Sequence, residues 1–156
     1  MGLFDKAFTL KTSNTQNEGY KPLSDCEALV AIMYASISAD GEVSDAEIDS
    51  LTRLLLFKNK FSNIDIIPFY KNALQAKQQF GAQHVIDRSA QLIREEEKPM
   101  VLALATELIL SDGIITEEEK QMIEYISTRL NIDTALADKI IEVVLIKNKD
   151  NRIFAN

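Results

Sequence analysis

An acidic eight-residue motif occurs twice in this chain, and each copy stands between two apolar segments with helical spacing. Residues 40–47 read DGEVSDAE, and residues 112–119 read DGIITEEE. In both copies a Ser or Thr is followed three residues later by Glu, the capping-box pattern that begins a helix. The Gly that follows each Asp favours a tight turn. Because a repeated unit constrains the fold more than any other feature, we expect two similar helical units, residues 24–60 and 96–132.

A period of about 3.6 residues continues through the rest of the chain, and no alternating strand pattern interrupts it. Helices are predicted over residues 3–10, 64–79, 83–94 and 97–111, and others are predicted to begin after Ser24, Ser44, Thr116 and Asp133. The predicted fold is all-α, with about seven helices in two pseudo-symmetric helical-bundle halves that share one core.

The predicted organisation is a short helix and flexible arm over residues 1–23, followed by one helical domain over residues 24–150. The arm is inferred from the polar, aperiodic stretch at residues 11–23. Apolar positions such as Leu92 are predicted to face the core. A group of aromatic side chains around the middle of the chain is also predicted to be buried: Phe57, Phe61, Phe69, Tyr70 and Phe80.

Charge and cysteine content exclude several classes of function. The formal net charge of −7 argues against nucleic acid, whose phosphates require a basic surface. Cys26 is the only cysteine, so one chain makes no disulfide, CxxC pair or thiolate zinc site. The longest apolar run, residues 100–110, contains Glu107 and is much shorter than the ~20 residues of a membrane-spanning helix. The N-terminus lacks a signal-peptide pattern. A cytoplasmic protein without a transmembrane segment is predicted.

The repeated Asp residues are the candidate functional groups. Asp40 and Asp112 each follow a predicted helix, where the C-terminal end of the helix dipole disfavours negative charge. One explanation is a divalent metal ion, of unknown identity, held by Asp40, Glu47, Asp112 and Glu119, with Glu107 as a possible additional ligand. The alternative is that these carboxylates only cap turns and helix starts, and that Glu107 faces solvent.

The motif also matches the second half of a calcium-binding EF-hand loop, from its invariant glycine to its bidentate glutamate. The first half does not match. Its leading ligand positions fall on Ser36 and Ser38 in one unit and on Leu108 and Leu110 in the other, where carboxylates are required. An EF-hand-like calcium site is therefore a remote alternative.

No pattern of catalytic residues accompanies the acidic motif. The chain has no P-loop, dinucleotide fingerprint, HExxH motif or recognisable nucleophile–base pair. His84 is the only histidine, and the sequence places no clear acid–base partner beside it or beside Cys26. A non-enzymatic protein is predicted, and a metal-dependent hydrolase is a remote alternative.

The paired motifs resemble those of the tellurite-resistance TerB family. In each unit an Ala-containing helix leads into an Asp-Gly turn and a Ser/Thr-x-x-Glu helix start: residues 33–41 with 44–47, and 105–113 with 116–119. The resemblance covers about residues 24–148. One departure is Ala46, which stands where the second unit has Glu118.

The resemblance implies a cytoplasmic protein of two helical halves that takes part in resistance to tellurite and other chemical stress. It also implies an acidic metal cluster, which in this sequence corresponds to Asp40, Glu47, Asp112 and Glu119. A further implication is a protein partner, in some members an integral membrane complex at the cytoplasmic face. The alternative from the residues themselves is a purely structural interaction scaffold.

Overall fold

A computed structural model describes residues 19–38 and 41–151, and the predicted helix at residues 3–10 lies outside these ranges. Seven α-helices and no strand occur within them, which confirms the all-α prediction. The helices are α1 Asp25–Ile37, α2 Asp45–Leu56, α3 Ile67–Phe80, α4 Ala82–Ala90, α5 Lys98–Ile109, α6 Glu117–Arg129 and α7 Thr134–Asn148. Single 3₁₀ turns occur at Asn59–Phe61 and Glu95–Glu97.

Hydroxyl caps begin three of the helices at the predicted positions. Ser24 Oγ accepts a hydrogen bond from the backbone N–H three residues on, at 3.1 Å, and begins α1. Ser44 and Thr116 begin α2 and α6 in the same way, within complete capping boxes. Asp133 occupies the N-cap position of α7, but its side chain makes no capping hydrogen bond. Local sequence therefore determined where these helices begin.

Two predicted helix boundaries are wrong. Helix α3 begins at Ile67 rather than at residue 64, because Asp65 Oδ1 accepts the Ile67 N–H at 3.1 Å and keeps the preceding residues in a turn. Helix α4 ends at Ala90 rather than at residue 94. Leu92 follows that end and is 41% exposed, so its predicted burial is also wrong.

Helix α1 lies at the centre of the fold. Every residue from Cys26 to Ile37 is buried, and α1 packs against α2, α3, α4 and α5. A helix that is apolar on all sides is typical of a central element with no solvent-facing side. Large side chains such as Ile32 and Met33 are fully buried there, and each contributes about 1.5–3 kcal/mol through the hydrophobic effect.

The aromatic residues are only partly in the predicted core. Phe61 and Tyr70 are buried and Phe69 packs against the core, as expected. Phe57 is 88% exposed, so the prediction for this residue is wrong. Helix α2 buries Leu51 and Leu55 on one face, and a residue two positions beyond Leu55 projects to the other side of the helix axis.

Within the described ranges, no helix has the length and hydropathy needed to cross a membrane.

Candidate functional site

The second Asp-Gly turn, defined here as residues 110–119 and called the acidic turn, joins α5 to α6. Asp112 Oδ1 accepts the Ile114 N–H at 3.0 Å, and the Gly113 N–H donates to the Leu110 carbonyl at 3.0 Å. Gly113 has a φ of 77° and packs against the last turn of α7, where an added Cβ would overlap the carbonyl of Asn148. Glycine is thus required both by the backbone conformation and by the space available.

A capping box closes the other end of the acidic turn. The Glu119 N–H donates to Thr116 Oγ1 at 3.2 Å, and Glu119 Oε1 accepts the Thr116 N–H at 3.0 Å. Asp112 and Glu119 therefore each use one carboxylate oxygen on the backbone. In the described part of the chain, the other oxygen of each carboxylate makes no hydrogen bond or ion pair with protein. The turn fixes two carboxylates and leaves each with one oxygen that can accept a further ligand.

The first Asp-Gly turn has a similar capping box but a different neighbouring side chain. Glu47 completes a capping box with Ser44, with both hydrogen bonds at 3.1 Å. Asp40, the other predicted ligand of this unit, lies outside the described residues. The Lys77 ammonium donates to the Gly41 carbonyl at 3.3 Å. Lys77 thus places a positive charge beside the Gly41 carbonyl of this turn.

Glu107, the possible additional ligand, lies on α5, and its side chain contacts the end of α7. Its carboxylate accepts from Lys147 Nζ at 2.6 Å and from Asn148 Nδ2 at 3.2 Å. Glu107 is thus paired within the protein, and its side chain is 27% exposed.

The C-terminal end of α7 holds the acidic turn in place, which the sequence did not indicate. Asn148 is 1% exposed and donates to the Leu110 carbonyl at 3.1 Å. Asn151 Nδ2 donates to the Ser111 carbonyl at 3.1 Å. Asn148 thus gives a second donor to the Leu110 carbonyl, which also accepts the Gly113 N–H, and Asn151 pairs the Ser111 carbonyl beyond the end of α5. No sequence pattern marks Asn148 or Asn151 as a partner of residues about forty positions earlier in the chain.

An apolar groove of about 360 Å³ runs beside the acidic turn, between α6 and α7. We call it the α6–α7 groove. Its apolar wall is formed by Ile115, Ile141, Leu145 and Ile146, and its polar rim by Lys120, Asp138 and Glu142. Ile146 is 68% exposed, and Ile114 of the adjoining turn is 63% exposed. The groove is open to solvent and places apolar side chains beside a charged rim.

Three of the predicted metal ligands, Glu47, Asp112 and Glu119, lie within the described ranges. Across residues 19–38 and 41–151, no group of three or more His, Cys, Asp or Glu side chains is arranged to hold a metal ion. The acidic turn offers two carboxylates, Asp112 and Glu119. A hard divalent cation bound there would complete its shell with water or with oxygen atoms from elsewhere.

A second group of polar side chains, which the sequence did not reveal, lies at the start of α1. Glu27 is 1% exposed, and its Oε2 accepts the Tyr20 hydroxyl at 2.7 Å. Its Oε1 is buried and has no hydrogen-bond partner among the described residues. Burial and the adjacent Glu27 carboxylate raise the pKa of Tyr20 well above its usual range. The only signal in the sequence was Ser24-x-x-Glu27, which matches a capping box although Glu27 turns toward Tyr20 instead.

His84 anchors the same segment to α4. The Tyr20 N–H donates to His84 Nε2 at 3.1 Å, and the imidazole stacks on Phe80 with ring centroids 4.4 Å apart. Burial is the main cause of a lowered His84 pKa; Arg88 lowers it further and Asp87 opposes the shift. His84 therefore acts as a hydrogen-bond acceptor in its neutral form.

An ion-pair cluster joins the start of α1 to the two 3₁₀ turns. Lys60 Nζ lies 3.0 Å from Asp25 Oδ2 and 2.9 Å from Glu97 Oε1. The Lys60 hydrogen bond is the main cause of a lowered Asp25 pKa. Glu97, at the N-cap position of α5, thus has a specific partner in Lys60. Cys26 is buried beside the cluster, and burial raises the pKa of its thiol.

Comparison with known proteins identifies a family. The sequence model described as Tellurite resistance protein TerB matches residues 26–140, which include both acidic motifs. No curated protein matches the chain, and no solved structure matches it.

Proposed function

Because this chain belongs to the tellurite resistance protein TerB family, we propose that it is a non-enzymatic binding module in resistance to tellurite and other chemical stress. The proposed ligand is a divalent cation at the duplicated acidic turns, and the proposed location is the cytoplasm. The observation that carries the proposal is the arrangement of Asp112 and Glu119, each with one oxygen fixed by the backbone and the other available.

Preorganisation is what these hydrogen bonds contribute. The Asx bond to Ile114 and the capping box at Thr116 orient both carboxylates before any ligand arrives, which lowers the entropic cost of binding. Carboxylate oxygens suit hard cations such as Ca²⁺, Mg²⁺ or Mn²⁺. The concentration of negative charge makes direct binding of a tellurium oxyanion unfavourable.

The two turns are expected to differ in affinity. Lys77 lies at the first turn, and the described part of the second turn has no equivalent lysine contact. A nearby ammonium group repels a cation. We therefore place the stronger site at Asp112 and Glu119, with Asp40 and Glu47 forming the weaker one.

Thermal denaturation with a series of divalent cations tests this proposal. At a hundredfold excess over the dissociation constant, a cation should stabilise the wild type by about 2.7 kcal/mol, or roughly 5–10 °C for a chain of this size. Asp112→Asn should abolish most of the shift, because it removes a negative charge from the site. It should maintain the turn, because the Asn side-chain oxygen can still accept the Ile114 N–H. Asp40→Asn should reduce it less.

Asp133→Asn is the matched control, since Asp133 is exposed and its side chain makes no capping hydrogen bond. It should retain the full shift. If no cation raises the melting temperature of the wild type, or if Asp112→Asn and Asp133→Asn respond alike, the proposed cation site is wrong.

A second candidate function is a scaffold that binds a protein partner, with the carboxylates serving only as caps. It is favoured by the completed caps and by the exposed Ile114 at the tip of the acidic turn. The partner would be basic and partly apolar, as in the cytoplasmic face of a membrane protein complex. Ile114→Ser should then weaken binding of that complex. Equal binding by the wild type and by Ile114→Ser would contradict this role.

The proposal contains no catalytic step. His84 is already used to accept the Tyr20 N–H, and the buried Cys26 thiol has a raised pKa, which lowers its nucleophilicity at neutral pH. Both observations favour binding over catalysis.

A further inference from the structure

The α6–α7 groove is an apolar surface that extends toward solvent. Its wall includes Leu145 and Ile146, and Ile146 is 68% exposed. An exposed apolar area of this kind is stabilised when another apolar segment covers it. Much of this wall comes from residues 141–146, beyond residues 26–140 that match the TerB family.

A segment of suitable chemistry exists in the same chain, at residues 3–10. Its sequence, LFDKAFTL, predicts a short helix, and it lies outside the described residues. On a helix its apolar residues would share one face, with Asp5 and Thr9 on the opposite face and Lys6 at the border. The apolar face consists of Leu3, Phe4, Ala7, Phe8 and Leu10. Such a helix requires an apolar surface to cover that face.

The connecting residues are long enough to reach the groove. The described chain begins at Gly19, against His84 and Arg88 of α4. Helix α4 adjoins α6 through the hydrogen bond from the Tyr125 hydroxyl to Asp87, at 2.6 Å. Lys120, which lines the groove, lies five residues before Tyr125 on α6, a rise of about 7.5 Å along the helix. Residues 11–18 can span about 26–29 Å when extended.

Charge also favours this arrangement. The rim of the groove carries Asp138 and Glu142, with Lys120 as its one cation. Lys6 borders the apolar face of the segment, and Lys11 follows it directly. Opposite charges at the edge of an apolar contact favour one orientation. We propose that residues 3–10 of this chain occupy the α6–α7 groove, with Phe4 and Phe8 as the main apolar anchors.

Hydrogen exchange of the full-length chain tests this contact. Phe4→Ser/Phe8→Ser should make the backbone amides of residues 138–146 exchange about tenfold faster. A short linker gives an effective concentration of order 1 mM, so a contact with a dissociation constant near 0.1 mM would be mostly formed in the wild type. Phe57→Ser is the matched control, since Phe57 is an exposed aromatic residue outside the groove. It should leave the exchange of residues 138–146 unchanged.

A reciprocal variant tests the same contact from the other side. Ile146→Asp places a charge in the groove at a position that is 68% exposed, so the fold is retained, and the amides of residues 3–10 should lose protection. Val143→Asp, an exposed position on α7 that does not line the groove, should leave them protected.

The proposal is overturned if residues 138–146 exchange equally fast in the wild type and in Phe4→Ser/Phe8→Ser. It is also overturned if their protection increases with protein concentration, because the occupant would then come from a second copy. These outcomes are independent of cation binding, which the thermal-shift experiment measures.

Discussion

The buried pair of Tyr20 and Glu27 allows a sharp test of how polar groups are tolerated in this core. Tyr20 donates to Glu27 Oε2 at 2.7 Å, while Glu27 Oε1 is buried without a partner in the described part of the chain. A hydrogen bond to a charged group is worth about 1.5–3 kcal/mol, and an unpaired buried polar group costs about 1–3 kcal/mol. The pair should therefore be strongly coupled. Removing either partner alone should cost much more stability than removing both together.

The test is a double-mutant cycle. Tyr20→Phe should lower the free energy of unfolding by about 1.5–3 kcal/mol, because it leaves both oxygens of Glu27 unpaired. Glu27→Met should lower it by about 1–3 kcal/mol, because it leaves the Tyr20 hydroxyl unpaired. The double variant removes both polar groups and keeps apolar volume, so it should be close to the wild type. The expected coupling energy is at least about 2 kcal/mol.

Urea denaturation measures these differences. With a slope of about 1–3 kcal/mol per M, a change of 2 kcal/mol moves the midpoint by about 1 M. Tyr34→Phe is the control, since Tyr34 is buried and its hydroxyl makes no hydrogen bond within the described residues. If the double variant loses as much stability as the sum of the single variants, the two side chains are not coupled and the reasoning from the hydrogen bond is refuted.

Two further predictions concern glycine and histidine. Gly113→Ala should destabilise the protein by about 1–3 kcal/mol more than Gly81→Ala in the same urea experiment, because both glycines have positive φ but only Gly113 faces a backbone group, the Asn148 carbonyl; equal losses would contradict this packing. Because the His84 pKa is lowered from 6.5 in the folded state, its contribution is present above that pH and should be lost as pH falls through 6.5, where the unfolded chain takes up a proton first. Protonation also removes the acceptor of the Tyr20 N–H. His84→Gln should flatten this part of the pH–stability curve, and an unchanged curve would show that another group is responsible.

Local sequence predicted the helix starts well. Ser44 with Glu47 and Thr116 with Glu119 form the expected capping boxes, because the groups that bond in a capping box lie within three residues of one another. The apolar period likewise predicted an all-α fold. The end of α4 at Ala90 and the start of α3 at Ile67 were less predictable, because small local differences decide between a helical turn and a competing turn.

The candidate site was predictable only in part. Asp112 and Glu119 were identified from the repeat, and their hydrogen bonds to Ile114 and Thr116 are local. The contacts of Lys77 with the first turn and of Asn148 with the second join residues far apart in the chain. No periodic pattern encodes such pairs, because they depend on which helices become neighbours.

The sequence by itself determined the helical class, the capped helix starts and the two acidic motifs, since each of these depends on interactions within a few residues. Tertiary structure alone decided how similar patterns are used. Ser24-x-x-Glu27 and Thr116-x-x-Glu119 are both capping-box patterns, yet Glu119 bonds its own helix start and the buried Glu27 bonds Tyr20. The physical reason is burial: at the exposed start of α6 the nearest donor is the local backbone, whereas at the start of the central helix α1 the Tyr20 hydroxyl supplies a donor to the buried carboxylate.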